Sequence, residues 1–406
     1  MSKTDRRKRK KTAQELEIEE WDRKVCDAVD AIPPFLRVRN KHLIDRVLDS
    51  GMHRKYKIEC LKKLQTIECD KAKQIEWLEN ILRVPFGKFS ELPVTKKNSP
   101  ESIADFFDKA EASLDSAVHG MATVKEEVVN YIAQIVSTDG SSIPRVIALC
   151  GSPGIGKTAI VRRGLAAALN RPMKCISMGG ISDSSYFFGF DYTYQGSKYG
   201  AIVQALIETG VMNPVIFMDE LDKISGTQDG IEVQNLLVHL TDPVQNSTFT
   251  DKYFAGIDID ISKVLFVFSY NDEKLVNPVL KDRLHIIRVP DPTTEEKVTI
   301  GSKYLVEELN ANAGFNKGDI IFSREVVKKI IDEFCKKDKG VRNLKRCIET
   351  IMLKCNTARY LGKRQKYKTI PQPLTLPLTV TEEMAKELLS SNKNDEDLEW
   401  MSRMFV

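Results

Sequence analysis

No apolar run in these 406 residues is long enough to span a membrane, and the N-terminus has no apolar core of a secretory signal. The eight cysteines form no C-x-x-C pair, and the five histidines show no metal-ligand spacing. A reducing compartment without structural zinc is therefore expected. Excess charge is also scarce: the net value is only +4, and it is unevenly placed. Lys3 and the run Arg6 to Lys11, set against Asp5, give residues 1–12 a net +6, which leaves the remaining chain near −2. The body is thus not basic; only its tail is. Arg6 to Lys11 reads either as a nuclear address or as an arm for nucleic acid, and the plain alternative is a solvated tail. Glu15, Glu17, Glu19 and Glu20 follow at once, which argues against a mitochondrial transit peptide. The expected location is cytoplasmic, with the nucleus as the alternative, and no membrane partner is expected.

What the chain does have is a hydrophobic content of 42%, enough for a globular body of two or three domains. Its organising stretch is VIALCGSPGIGKT, Val146 to Thr158. A short apolar strand leads into Gly151, Ser152, Pro153, Gly154, Ile155, Gly156, Lys157 and Thr158, the G-x-x-x-x-G-K-[ST] phosphate loop. The glycines let successive backbone N–H groups turn inward around phosphate oxygens. Lys157 brings a point charge to the β- and γ-phosphates, and Thr158 offers a hydroxyl to Mg²⁺. The following helix points its positive end at the nucleotide. About sixty residues on, Val215 to Met218 form a second apolar strand ending in Asp219 and Glu220. Asp219 is the expected Mg²⁺ partner and Glu220 the base that orients the attacking water. Val264 to Ser269 reads as a further buried strand, with Asn271 just past it. ATP and Mg²⁺ are the expected cofactors.

Upstream, apolar residues at helical spacing mark four helices within 13–86: Ile18 to Ile32, Leu43 to Leu48, Ile58 to Leu64 and Ile75 to Leu82. Pro33-Pro34 ends the first. These stripes read as packing faces, or alternatively as a partner-docking or substrate-engaging arm. A polar linker with Pro93 and Pro100 covers 87–102, after which helices resume through Phe106 and again from Val124 to Ile135.

From about Ile75 to Leu389, three quarters of the chain, the sequence resembles the ATPase region of Lon, an AAA+ protease. The phrases that carry this are Trp77-Leu78-Glu79 with Val84-Pro85-Phe86, Ser177-Met178-Gly179-Gly180, Thr193-Tyr194-Gln195-Gly196, and PVIFMDELDK from Pro214 to Lys223. Asp242 to Asn246, Phe249 to Tyr253, Asp282-Arg283-Leu284 and Gly340 to Leu344 agree as well. The resemblance implies an α/β AAA+ P-loop ATPase with a parallel sheet and flanking helices. It adds a small C-terminal helical domain and an N-terminal helical segment. The expected divisions are a tail at 1–12, helices at 13–86, a linker at 87–102, the large domain at 103–297, the small domain at 298–389 and a tail at 390–406.

The resemblance also assigns roles. His119, Gly120 and Met121 would line the adenine pocket. Asn271 matches sensor 1, whose amide can reach both the γ-phosphate and the attacking water. Arg283 matches the arginine finger that reaches a neighbouring subunit's ATP, its plain alternative being a surface arginine. Arg342 matches sensor 2, which reports the γ-phosphate by domain closure. Tyr194 matches the pore-loop aromatic that grips an unfolded polypeptide. The preceding loop departs from Lon, with Tyr186-Phe187-Phe188-Gly189-Phe190-Asp191-Tyr192 where Lon has several basic residues, and Gln195 replaces an apolar residue. These rings can provide grip or pack as a rim. A homo-hexamer acting on polypeptide is implied, with a separate protease or a full-length Lon-like protein as a further partner. In Lon a serine–lysine protease domain follows; here only Ser390 to Val406 follow, too few to fold into one. Peptide hydrolysis by this chain alone is not expected. The other functions weighed are a nucleic-acid-associated ATPase using Arg6 to Lys11 and a non-motor regulator of a full-length Lon-like ring.

Overall fold

The computed structural model describes residues 13–65, 71–140, 145–181, 183–194, 196–224, 227–362, 367–371 and 373–390. The expectations for Arg6 to Lys11, for Gln195 and for the tail beyond Ser390 lie outside these residues. Among the described residues, no helix is long and apolar enough to cross a membrane.

The strands, in chain order, are β1 (Val146–Cys150), β2 (Met173–Ser177), β3 (Val215–Asp219), β4 (Phe249–Thr250), β5 (Asp258–Ile259), β6 (Leu265–Tyr270), β7 (Leu284–Arg288), β8 (Ile320–Phe322) and β9 (Leu378–Val380). Five of them form one sheet in the order β2-β3-β6-β1-β7. β2, β3 and β6 run parallel, with Ile176 opposite Met218 and Met218 opposite Phe268. The three inner strands are continuous apolar runs because both their faces are covered. The two outer strands are mixed in composition and half-exposed, and the apolar-run criterion does not find them. Cys150 is half-buried at the end of β1.

Residues fall into two compact units. The first joins the described residues up to Ala110 with Val129–Ala148 and Leu165–Ile286. Its N-terminal helices are Ala13–Asp30, Pro34–Arg39, Lys41–Asp49, Arg54–Gln65 and Lys71–Ile81. They bury Val25, Ile32, Leu43, Val47, Leu61 and Leu64, while Ile18 stays exposed. The last of these helices is fastened to the segment around the β4–β5 hairpin. Trp77 is fully buried, its Nε1–H donates to Tyr253 O at 2.6 Å, and its ring meets Phe254 edge-on at 5.7 Å. Asn80 Nδ2 donates to the Tyr253 hydroxyl at 3.2 Å. The Tyr56 hydroxyl donates to Asp258 Oδ2 at 2.7 Å, and burial together with that bond pushes its pKa up to about 12. Within 87–102, Met212 N donates to Lys88 O at 2.7 Å. Ser90 and Asn213 exchange two hydrogen bonds of 2.7 and 2.9 Å. This stretch therefore lies fixed on the unit's body.

The second unit joins Glu111–Val128, Leu149–Gly164 and the described residues from Ile287. Its core gathers Val298, Leu309, Ile330, Leu344, Ile348, Met352 and Leu388, among others, from helices that surround a parallel β8–β9 pair. A capping box at Thr293 and Glu296 starts the helix Thr294–Thr299: Thr293 N donates to Glu296 Oε2 at 2.8 Å, and Glu296 N donates to Thr293 Oγ1 at 3.3 Å.

Candidate nucleotide site

In the second unit, β1 ends at Cys150, and the chain turns through Gly151, Gly154 (φ +73°) and Gly156 (φ +102°) into the helix that begins at Lys157. Both glycines hold backbone angles that a side chain would strain. There is no room for one either: a Cβ on Gly151 would stand 2.6 Å from Val289 O, and one on Gly156 2.9 Å from Val118 Cγ1. The Lys157 side chain is drawn back over this turn. It is 8% exposed, and its Nζ donates to Gly151 O and, at 3.4 Å, to Ser152 O. A turn of inward N–H groups, one ammonium and the Thr158 hydroxyl at a helix start form a donor set that fits a polyphosphate and its cation.

The Gly340–Arg342 turn packs directly on this loop. Val341 N donates to Gly154 O at 3.1 Å. A Cβ on Gly340 would lie 2.4 Å from Pro153 O, and one on Gly154 would lie 2.7 Å from Arg342 Cβ. Arg342 opens the helix Arg342–Leu361. Asp338 supplies the cap: its Oδ2 accepts from Asn343 N at 2.8 Å and its Oδ1 from Gly340 N at 3.2 Å. The phosphate loop and Arg342 thus share one contact, 188 positions apart in sequence by subtraction of Gly154 from Arg342.

His119, Gly120 and Met121 form a tight turn in the same unit, with positive φ at Gly120 (73°) and Met121 (60°). The His119 ring lies 5.8 Å from that of Tyr304, tilted by 38°. The Glu296 carboxylate fills the space a Gly120 Cβ would take. The Thr293 backbone and hydroxyl bonds hold Glu296 below the usual carboxylate range, with His119 adding a smaller pull.

In the first unit, β3 delivers Asp219 and Glu220. Ser269 Oγ on β6 donates to Asp219 Oδ1, and Glu220 N donates to the same oxygen at 3.0 Å. Glu220 sits in the left-handed region (φ +61°), which turns its side chain away from the strand line. Its Oε2 accepts from Ser177 Oγ at 3.5 Å and lies over Gly179, where a Cβ would come within 2.7 Å. Asn271 follows β6 directly. The next residue is tied down, since Asp272 N donates to the buried Asp222 Oδ2 at 3.2 Å. Ser177, Ser269 and Asp222 are neighbours that motif spacing alone does not pick out.

Arg283 is engaged within its own chain. Its Nη1 donates to Asp242 Oδ2 at 3.0 Å and to Val238 O at 3.4 Å. Asp242 is held below the usual carboxylate range first by the Val244 N–H and then by Arg283. Asp242, at the head of the phrase Asp242 to Asn246, is therefore the seat of Arg283, and Val244 N in the same phrase holds it.

The aromatic loop divides. Phe187 is fully buried and Phe188 stacks on Phe249 at 5.6 Å, so these two serve the core. Tyr186 (48% exposed), Phe190 (50%) and Tyr194 (69%) face solvent. Asp191 shapes the turn below Tyr194 by accepting from Thr193 N at 2.9 Å. Asp251 anchors the loop's base: fully buried, it accepts from Gly200 N at 2.7 Å and Tyr253 N at 2.9 Å. Burial raises its pKa to about 7, against the pull of those N–H groups. A carboxyl raised in the folded state holds its proton where the unfolded chain has lost it. Its contribution to stability is therefore present at about pH 4 and is lost as pH rises to about 7. Denaturation midpoints measured across that window should fall more steeply for the parent chain than for Asp251→Asn. Equal slopes would sink this assignment.

Residues 147–291 match the ATPase family associated with various cellular activities (AAA), and residues 311–368 match the Lon protease AAA+ ATPase lid domain. The chain is 36% identical over 275 residues to a Lon protease homolog of Acanthamoeba polyphaga mimivirus, an alignment covering 68% of this chain and 27% of the relative. It is 33% identical over 294 residues to the Lon protease of Porphyromonas gingivalis, covering 72% and 33%. It is 31% identical over 350 residues to the mitochondrial Lon protease homolog of Homo sapiens, covering 86% and 34%. The chain thus spans 27% to 34% of these relatives' length. An AAA ATPase domain followed by a Lon lid, on a parallel sheet with flanking helices, places this chain in the Lon protease family through its AAA+ ATPase region.

Proposed function

We propose that this chain is an ATP-driven motor that assembles as a ring, hexameric by the family's pattern, and unfolds or remodels polypeptide substrates. The observation that carries this reading is the seating of the Arg342 turn on the phosphate loop, which ties the helical lid to whatever the loop holds. Lys157 and the loop N–H groups would bind the phosphates, with Thr158 and Asp219 holding the cation. Bound Mg²⁺ neutralises developing phosphate charge. Glu220 would orient and deprotonate the attacking water, with Ser177 setting its carboxylate and Asn271 aligning the same water. His119 to Met121 would receive the base. Arg283, carried on its Asp242 seat, would reach the ATP of the next subunit. Tyr194, with Tyr186 and Phe190, would grip the substrate, and their exposure supports that role.

The test is steady-state ATP turnover by the purified chain, with and without unfolded casein. We expect hydrolysis that casein raises severalfold. ATP binding without hydrolysis would replace the motor with a regulator of another ring. Salt-sensitive stimulation by DNA but not by casein would favour a nucleic-acid-associated ATPase. Casein run on a gel after the same assay should stay intact; fragments would assign peptide hydrolysis to this chain as well.

A further inference from the structure

Two cysteines that the nucleotide chemistry does not use stand face to face in the second unit. Cys335 ends the helix Arg324–Phe334 and is 5% exposed; half-buried Cys347 lies on the helix Arg342–Leu361. Their Sγ atoms are 4.0 Å apart. The chain between them is the turn that meets the phosphate loop: Asp338 caps it, and Lys297 Nζ donates to Asp338 O at 2.5 Å. We propose that Cys335 and Cys347 form a reversible disulfide with peroxide-class oxidants, a modification site that controls how Arg342 rests on the phosphate loop.

The geometry asks for little movement. A disulfide needs its sulfurs at about 2.05 Å, so side-chain rotation must close about 2 Å. The thiol pair shares a hydrogen bond that holds the Cys347 thiol below its ordinary pKa and pushes Cys335 up. Cys347, half-buried where Cys335 is almost fully buried, is the thiol that an oxidant reaches and the one that attacks, as its thiolate. It attacks one peroxide oxygen, the O–O bond breaks, and the departing hydroxide takes up the proton that Cys347 released and leaves as water, giving a Cys347 sulfenic acid. Cys335 sulfur then attacks the Cys347 sulfur, the S–O bond breaks, and the hydroxide takes the Cys335 proton as a second water. Two thiols lose two electrons and two protons, and one hydrogen peroxide becomes two waters. Transient disulfides of this kind are the ones expected in a reducing compartment.

The consequence follows from the tight fit of the turn. Gly154 has no space between itself and Arg342, nor Pro153 between itself and Gly340. A covalent tie five residues along the helix from Arg342 fixes that contact and prevents the turn from following the nucleotide.

The experiment exposes the full chain to hydrogen peroxide and maps disulfides by peptide mass. ATP turnover at saturating ATP is measured alongside the affinity for a fluorescent ATP analogue. We expect a Cys335–Cys347 cross-link and a fall in turnover or affinity of about fivefold or more, both reversed by dithiothreitol. Cys335→Ser and Cys347→Ser should behave as the reduced parent and ignore peroxide. No cross-link between these two residues, a cross-link without change in either readout, or serine variants that remain sensitive would each overturn the proposal. The cross-link and the affinity are read without turnover, so a chain that fails to hydrolyse ATP tests the motor reading and leaves this one to its own result.

Discussion

Glu220→Gln is expected to lower ATP turnover by about 10²- to 10⁴-fold, the range of a lost general base, while ATP binding persists. The substitution is nearly isosteric. Glu220 holds a strained left-handed backbone (φ +61°), its N–H engages Asp219, and its carboxylate lies between Ser177 Oγ and Gly179. An amide can keep the contact with Ser177 but cannot take a proton from water. The fall should therefore appear in kcat, with nucleotide affinity changed by less than about threefold. Turnover within about threefold of the parent would remove Glu220 from the role of base. Loss of binding together with turnover would instead mark it as structural.

Trp77→Ala should produce the largest loss of stability, about 3–5 kcal/mol. The indole is fully buried, contacts Phe254, carries Lys63 Nζ 4.5 Å from its ring and donates Nε1–H to Tyr253 O at 2.6 Å. Removing it leaves a cavity and strands a carbonyl. Trp77→Phe keeps most of the volume and loses the hydrogen bond, and should cost about 1–3 kcal/mol. Urea denaturation reads both. An unchanged midpoint for Trp77→Ala would mean that the N-terminal helices do not share the cooperative unit of the segment carrying Tyr253 and Phe254. It would also favour their reading as a partner-docking or substrate-engaging arm.

The inner strands and the phosphate loop were legible because burial on two faces leaves an unbroken apolar run, and because phosphate binding demands glycine at fixed steps. β2 and β7 were not, because an outer strand needs only one covered face and its residues then look like loop. Residue roles divide the same way. Lys157, Asp219 and Glu220 announce themselves through local chemistry. Asp242 could not, since its meaning lies in Arg283, 41 positions away. Asp251 sits in an apolar and aromatic stretch as an ordinary surface-forming acid would, and only the packing of Gly200 and Tyr253 around it reveals a buried anchor. The aromatic loop could be read either as grip or as rim; packing assigns Phe187 to the core and leaves Tyr194 in water.

The glycine seam between Pro153-Gly154 and Gly340–Arg342 also works as a fulcrum. The helix that starts at Arg342 has 20 residues and is therefore about 30 Å long. Because the seam has no slack, a tilt of about 5° imposed at the phosphate loop would carry the far end of that helix through about 2–3 Å. The far end presents Tyr360 and Leu361 to solvent, so the displacement reaches an exposed apolar edge, while Ile348 and Met352 along the same helix carry part of it into the core.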